Sequence, residues 1–250
     1  MKFLIGDIGN TSTKICILNN KFKILRSYNF ETIKMLKGNL IKTIIKKKIN
    51  NDLNSVFLFS SVVPKVFLKI KKNFKVTKYK VLELKNLNLN KIIKINVKNK
   101  NQLGSDRIAN AIGVKKLKNC LVLDFGTATT FDVIKNGVYE GGVIAPGVKL
   151  SIKNLSQATA LLPLINLSSR QKKIGKNTKE ALNAGFVWGY EGLINNIINK
   201  ITSKNKKNFK IILTGGFANF FKKIIKKNAT GDQDITVKGI ANVYKELIWV

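Results

Sequence analysis

Cys120-Leu-Val-Leu-Asp124-Phe-Gly126-Thr127-Ala128-Thr129-Thr130-Phe-Asp132 starts as an apolar run, breaks at Asp-x-Gly and continues through small and hydroxyl-bearing residues. The chain opens on the same pattern, Phe3-Leu-Ile-Gly6-Asp7-Ile8-Gly9-Asn10-Thr11-Ser12-Thr13-Lys14. Each turn leads into a second apolar run, Ile15 to Leu18 or Phe131 to Ile134, then into Asn19-Asn20 or Asn136-Gly137 and a third run. Asn-Gly is a favoured hairpin pair. A strand–turn–strand–turn–strand unit therefore occurs twice, about half a chain apart. This predicts two related halves facing one cleft.

The turns suit phosphate. Glycine lets the backbone bend tightly and approach a bulky anion. Backbone N–H groups and Thr or Ser hydroxyls can then donate to phosphate oxygens. A carboxylate beside phosphate repels it unless a cation lies between them. Asp7 and Asp124 therefore predict bound metal, with Mg²⁺ reaching the phosphates through water. A single Asp-x-Gly-x-Thr also fits an ordinary hairpin. Two in matching contexts, with a third glycine turn at Thr214-Gly215-Gly216, favour the phosphate reading.

At 250 residues the chain can form one large domain or two small ones. It has no transmembrane run, and its start, one Lys and then a strand ending at Asp7, does not resemble a signal peptide. Cys16 and Cys120 fall in predicted strands, so neither a disulfide nor a zinc site is expected, and a reducing cytoplasm fits. Histidine is absent, which excludes histidine acid–base chemistry and histidine metal ligands. The net charge of +33 invites a nucleic-acid reading. Yet only three of the 46 basic residues are Arg (Arg26, Arg107 and Arg170), and the lysines are spread along the chain among many Asn and Ile. Recognition surfaces favour the forked donors of Arg. We expect no specific nucleic-acid partner and no membrane partner, only weak non-specific binding at low salt. Against this basic background, four of the seven Asp residues (Asp7, Asp106, Asp124 and Asp132) lie in or beside the glycine motifs.

In chain order, residues 2–28 read as the first meander and 31–48 as a helix. A strand follows over 55–59, and Ser60-Ser61 with Pro64 opens the next helix, Pro being normal early in a helix. Residues 75–84 hold a strand, and 85–102 show no clear period apart from 92–95. Gly104-Ser105-Asp106-Arg107 begins a buried helix to Gly113. A helix start favours Asp for the dipole, which accounts for Asp106 but not for the rare Arg beside it. The second meander covers 119–145. Gly141-Gly142-Val-Ile-Ala-Pro146-Gly147 reads as a turn that packs closely and exposes backbone donors, or as plain turn chemistry. A polar loop is expected over 168–173. Gly175-Lys-Asn177-Thr178 leads into a long helix to about residue 202, with Asn177 or Thr178 as N-cap. Gly185, Gly189 and Gly192 recur near one face of that helix and imply close packing against a ligand or another helix. Residues 209–218 read as strand, Gly-Gly turn and helix, a turn against which a flat purine can lie. Residues 235–250 read as a short strand and a closing helix from Gly239.

Neither G-x-x-x-x-G-K-[ST] nor G-x-G-x-x-G occurs. Two Asp-x-Gly turns, a Gly-Gly turn and an Asp-Arg pair resemble the superfamily of sugar kinases, acetate kinase, actin and the heat-shock chaperone ATPases, which hold ATP between duplicated halves. Within it the chain is similar, over essentially its whole length, to type III pantothenate kinase. The resemblance rests on Asp7-Ile-Gly-Asn-Thr11, Gly104-Ser-Asp-Arg107, Asp124-Phe-Gly-Thr-Ala-Thr-Thr-Phe-Asp132, Gly141-Gly-Val-Ile-Ala-Pro-Gly147, Gly175-Lys-Asn-Thr178 and Thr214-Gly-Gly216, in that order.

The resemblance implies an α/β fold of two duplicated ribonuclease H-like (actin-like ATPase) domains, 1–117 and 118–250, with mixed sheets, flanking helices and a cleft between them. It implies ATP-dependent phosphorylation of pantothenate to 4'-phosphopantothenate, the first step of coenzyme A biosynthesis. By position, Asp106 would be the general base, and Gly104, Ser105, Asp106 and Arg107 would line the substrate site. Thr178 would contact pantothenate near the interface of a homodimer. Asp7, Ile8, Gly9, Asn10, Thr11, Ser12, Thr13 and Lys14 would hold ATP phosphates, with Asp7 reaching Mg²⁺ through water, and Thr127 would contact ATP. Asp124 would bind the required monovalent cation, K⁺ or NH₄⁺. The family often has a Tyr and an Asn-Pro before Gly-x-Asp-Arg; here Val97 and Asn99-Lys100 occupy those places. Three other readings stay open: another small-molecule kinase of the superfamily, a non-catalytic regulatory or nucleic-acid-binding relative, and a decayed enzyme.

Overall fold

The computed structural model describes residues 1–37, 40–48, 52–168, 173–203 and 208–249. In chain order the elements are β1 (Lys2–Ile8), β2 (Ser12–Leu18), β3 (Ile24–Glu31), α1 (Leu40–Lys48), β4 (Leu53–Ser61), α2 (Pro64–Asn73), β5 (Lys80–Glu83), β6 (Lys94–Ile95), α3 (Ser105–Gly113), β7 (Cys120–Phe125), β8 (Ala128–Lys135), β9 (Val138–Pro146), α4 (Val148–Gln157), α5 (Thr178–Ser203), β10 (Lys210–Gly215), α6 (Ala218–Lys222), β11 (Ala229–Gly231) and α7 (Ile235–Leu247). They form two compact units. The first comprises residues 1–116, 137–139 and 234–250, and the second 117–136 and 140–233. The sequence division at 117/118 lies beside the 116/117 break, and α7 packs in the first unit.

In the first unit the strand order is β3-β2-β1-β4-β5. The β1–β2 and β2–β3 pairs are antiparallel, and β1–β4 and β4–β5 are parallel. Side chains alternate across such a sheet. Leu4 and Ile8 therefore share one face, where they join Ile15, Phe57 and Phe59 in a core closed by Ile41 of α1 and Val66 and Ile70 of α2. Phe3, Ile5 and Asp7 point the other way, and the Phe3 ring lies 5.1 Å from that of Tyr244 in α7. On that side α3 and α7 cross with almost no side chain between them. A Cβ added at Gly239 would lie 1.8 Å from the Ala109 carbonyl oxygen, and one at Gly113 would lie 2.3 Å from that of Ile235. The Thr236 hydroxyl bonds the buried Asn110 Oδ1 at 2.6 Å beside this crossing.

The other sheet has the order β11-β10-β7-β8-β9-β6, and its first five strands belong mainly to the second unit. The β7–β8 pair is antiparallel, and β7–β10 and β10–β11 are parallel. Apart from the added edge strand β6, this repeats the order of the first sheet: a meander, then a parallel extension from its first strand. The duplication legible in the two glycine turns is thus a duplication of topology. Leu121, Leu123 and Phe125 of β7, Phe131 of β8 and Leu213 of β10 form its core with Tyr190, Ile194 and Ile198 of α5. In the first unit, β6 runs parallel to Val138–Tyr139 at the start of β9. Asn136 (φ 54°) and Gly137 (φ 76°) make the expected hairpin turn between β8 and β9.

Four local expectations need correction. The helix expected over 31–48 is divided: β3 runs through Glu31, a 3₁₀ turn covers Thr32–Leu36, and α1 begins at Leu40. Thr32 is buried, with its hydroxyl tied to the turn after β1, and this fixes the chain before a helix can start. Residues 141–146 are not a turn but the body of β9, where Gly141 takes φ 91°. Helix α4, absent from the sequence reading, follows Gly147 and buries Val148 and Ile152. Residues 235–238 are helical, not a strand: burying Ile235, Val237 and Ile240 overrides the strand preference of Ile-Thr-Val. Of the polar loop expected over 168–173, residues 169–172, Arg170 among them, lie outside the described residues, as do 38–39 and Val250.

The start of α5 follows the sequence closely. The Glu180 N–H donates to Asn177 Oδ1 at 3.0 Å, and Glu180 Oε2 accepts from the Lys176 N–H at 2.9 Å. Asn177 is therefore the N-cap. Asn177→Ala is expected to cost about 1 kcal/mol of stability, read from the urea midpoint at unchanged m-value.

Candidate active site

The first unit gathers two of the glycine motifs at the carboxyl ends of β1 and β4. Asp7 is the last residue but one of β1, and its neighbours in register are Lys14 on β2 and Ser60 on β4. After Ile8 the chain turns tightly, with the Gly9 N–H donating to the Ser12 carbonyl at 3.0 Å. The Thr32 hydroxyl donates to the Gly9 carbonyl at 2.6 Å and lies 3.0 Å from the Thr13 hydroxyl. Asn10, Thr11 and Ser12 are exposed at the turn, whereas the Ile8 side chain lies in the core and Thr13 is buried. The Lys14 ammonium donates to Asp234 Oδ1 at 2.6 Å.

The Gly104 motif meets this turn through Val62. The Val62 N–H donates to the Ile8 carbonyl at 3.0 Å, and a Cβ at Gly104 would lie 3.6 Å from Val62 Cγ1. Gly104 is the N-cap of α3, so Ser105, Asp106 and Arg107 occupy the first helical turn. Asp106 is half-buried, and its Oδ1 accepts the Arg107 N–H at 2.7 Å. Burial raises its carboxyl above the ordinary carboxylate range, outweighing the opposing pull of the Arg107 amide and guanidinium. The Ser60 and Ser105 hydroxyls are buried and have no hydrogen-bond partner among the described residues. A buried hydroxyl of this kind costs about 1–3 kcal/mol unless a partner is supplied, so both suit a face that meets polar ligand atoms.

The second unit repeats the arrangement around Asp124. It stands at the end of β7, flanked in register by Thr130 and Thr214. The Gly126 N–H donates to the Ala128 carbonyl at 3.1 Å, and the Gly216 N–H to the Phe125 carbonyl at 3.0 Å. Gly215 takes φ 84°, and a Cβ there would sit 2.6 Å from both Asp124 Oδ1 and the Phe125 nitrogen. Only glycine meets both demands. Gln233 Nε2 donates to the Gly215 carbonyl at 3.2 Å. Gly147 closes on the same turn, since a Cβ there would lie 1.9 Å from the Thr127 carbonyl oxygen. Thus Asp124, Thr127, Gly147 and the Gly215-Gly216 turn come together, with Thr127 exposed. Thr178 is exposed on the first turn of α5, in the second unit.

Gly185, Gly189 and Gly192 lie on an exposed face of α5. A Cβ at any of them would meet nothing within 4 Å among the described residues, and Trp188 beside them is 42% exposed. Sequence reasoning missed two residues of the first turn, Thr32 and Asp234. Thr32 carried no signal, being one hydroxyl past the end of a strand. Asp234 could have been found, because acidic residues are scarce here and Asp before an apolar helical run marks a helix start.

A family model described as type III pantothenate kinase matches residues 3–200. A relative from Pelagibacter ubique (strain HTCC1062), named type III pantothenate kinase, is 51% identical over 220 residues, which cover 87% of this chain and 88% of the relative. The chain belongs to the type III pantothenate kinase family. Every motif that carries the type III pantothenate kinase resemblance lies inside the matched span except Thr214-Gly215-Gly216. Among solved structures, a Campylobacter jejuni protein assigned to the Baf family superposes with a TM-score of 0.66 at 21% identity, covering 99% of this chain and 100% of that one. A ROK family protein from Streptococcus pneumoniae superposes at 0.53 with 12% identity, covering 98% and 99%. At such identities the likeness concerns fold alone. It agrees with two duplicated actin-like units, each a mixed sheet with flanking helices.

Proposed function

We propose that the chain is an ATP-dependent kinase that phosphorylates the primary hydroxyl of pantothenate to 4'-phosphopantothenate, the first step of coenzyme A biosynthesis. Family membership supports the reaction. The observation that carries the residue roles is the half-buried Asp106 carboxyl, raised by burial, on a helix whose N-cap packs beside the Asp7 turn. Asp106 is the general base. It accepts the hydroxyl proton as the substrate oxygen bonds to the γ-phosphorus and the bond from that phosphorus to the ADP oxygen breaks. Residues 104–107 line the substrate site, and Thr178 contacts pantothenate.

Residues 7–14 bind the ATP phosphates through the exposed Asn10–Ser12 turn and Lys14, and Thr127 is a further ATP contact. The buried Ile8 and Thr13 side chains fit backbone and scaffolding roles in this stretch. Among the described residues no three His, Cys, Asp or Glu side chains cluster as a metal cage. That suits Mg²⁺, which binds through one or two carboxylates, water and substrate phosphates. Asp7 fits as its water-mediated partner, where the ion would neutralise phosphate charge. Asp124, half-buried between Thr130 and Thr214, has the oxygen donors for a monovalent cation, K⁺ or NH₄⁺. The exposed glycine face of α5 suits close helix contact across a homodimer. The division into 1–117 and 118–250 is kept for the two duplicated halves of the sequence, with 137–139 and 234–250 packing in the first unit, and a cytoplasmic setting fits the two free buried cysteines.

The test is ADP release from purified protein with ATP, Mg²⁺ and pantothenate, with and without K⁺. Pantothenate-dependent release is expected. Its absence from folded protein, with activity on a different alcohol, would redirect the assignment within the superfamily. Arg107 should position the substrate through its rigid fork. Arg107→Lys is therefore expected to raise the pantothenate KM by about tenfold, the loss of one charge-assisted hydrogen bond. An unchanged KM would remove Arg107 from that role.

A further inference from the structure

Asp234 precedes α7, at the N-cap, where an Asp side chain ordinarily accepts an N–H of the first helical turn. It makes no such bond here. Its Oδ1 accepts instead from Lys14 Nζ at 2.6 Å, with the Lys14 side chain 26% and the Asp234 side chain 42% exposed. An ion pair this exposed adds little stability, so exchanging a cap for it does little for α7. What it does is locate an ammonium. Lys14 stands next to Asp7 in the sheet, directly beyond the exposed turn. A lysine stem is flexible, and its ammonium carries three donors. Asp234 engages one, which leaves two for phosphate oxygens.

We infer that Asp234 is a positioning residue for Lys14, holding its ammonium beside the Asp7 turn so that it meets the ATP phosphates already placed. This rests on the reading of residues 7–14 as the phosphate site. It adds that the site's lysine is set from the N-terminus of α7. The Asp234 carbonyl accepts the Lys238 N–H at 2.8 Å, a main-chain bond at the start of α7 that a change of the side chain leaves in place.

The experiment compares the full-length chain with Lys14→Met, Asp234→Asn, Asp234→Glu and the Lys14→Met/Asp234→Asn double variant. ATP Kd without pantothenate, both KM values and Tm are measured for each. Lys14→Met is expected to weaken ATP binding most. Asp234→Asn should raise the ATP Kd and KM by about tenfold, the scale of one charge-assisted bond, with the pantothenate KM unmoved. Asp234→Glu should recover most of that loss, and the double variant should bind ATP no worse than Lys14→Met. If Lys14→Met weakens ATP binding and Asp234→Asn does not, the positioning role is overturned and the phosphate reading stands. A tenfold loss that adds to that of Lys14→Met, with a lowered Tm, would make Asp234 structural and equally overturn the inference. Unchanged ATP binding in Lys14→Met would instead overturn the phosphate role of Lys14.

Discussion

Asp106→Asn is expected to lower kcat by about 10²–10⁴-fold, the usual worth of a positioned general base, while the protein stays folded. The substitution keeps the shape of the side chain and its ability to accept the Arg107 N–H, but removes the basic oxygen. Stability should move the other way. Burial raises the folded-state pKa of Asp106 above its ordinary value of 3.8. A carboxyl with a raised folded pKa contributes stability that is complete below the unfolded pKa and is lost as pH rises through the folded pKa. At neutral pH the ionised group is thus a cost, and the neutral Asn removes it. Tm at pH 7 should stay level or rise while turnover collapses. The same shift sets the acid limb of the wild-type kcat/KM profile above the ordinary Asp range, and that limb should vanish from the residual activity of the variant. Near-normal turnover in Asp106→Asn would end the assignment.

How much of this was legible in the sequence depends on the range of the interaction. Asp7-Ile-Gly-Asn-Thr and Asp124-Phe-Gly-Thr carry their turn chemistry locally, and both form the expected strand ends. Gly104-Ser-Asp-Arg was readable as a helix start because capping is also local. Failures came where a distant partner decided the outcome. Residues 235–238 look like a strand until α3 gives their apolar face somewhere to bury. Thr32 interrupts the helix expected over 31–48 because it reaches back across the sheet to Gly9. Asp234 appears in the first turn although 220 positions separate it from Lys14. The glycines of α5 were read from spacing alone, and spacing does not say which neighbour meets them; among the described residues none lies within 4 Å of a Cβ there.

Gly239→Ala has the second large effect, and its sign separates local from tertiary control. In an exposed helix the change stabilises by about 1 kcal/mol, because alanine is the better helix former. In α7 the new methyl carbon would lie 1.8 Å from the Ala109 oxygen and 2.6 Å from its carbonyl carbon. These are backbone atoms of α3, so no side chain can turn aside and the two helices must separate. Overpacking costs about 1–3 kcal/mol, and a clash with a rigid backbone belongs at the upper end. At 250 residues a loss of about 3 kcal/mol corresponds to a fall in Tm of roughly 6–12 °C. The displacement also reaches the proposed base. Ala109 lies one helical turn after Asp106, and the Thr236–Asn110 bond that fastens the same crossing would lengthen. Turnover should therefore fall together with Tm, unlike in Asp106→Asn, where the two part company. A Tm that rose in Gly239→Ala would mean that helix propensity, not the α3–α7 contact, governs this position, and the tight crossing of the two helices would have to be abandoned.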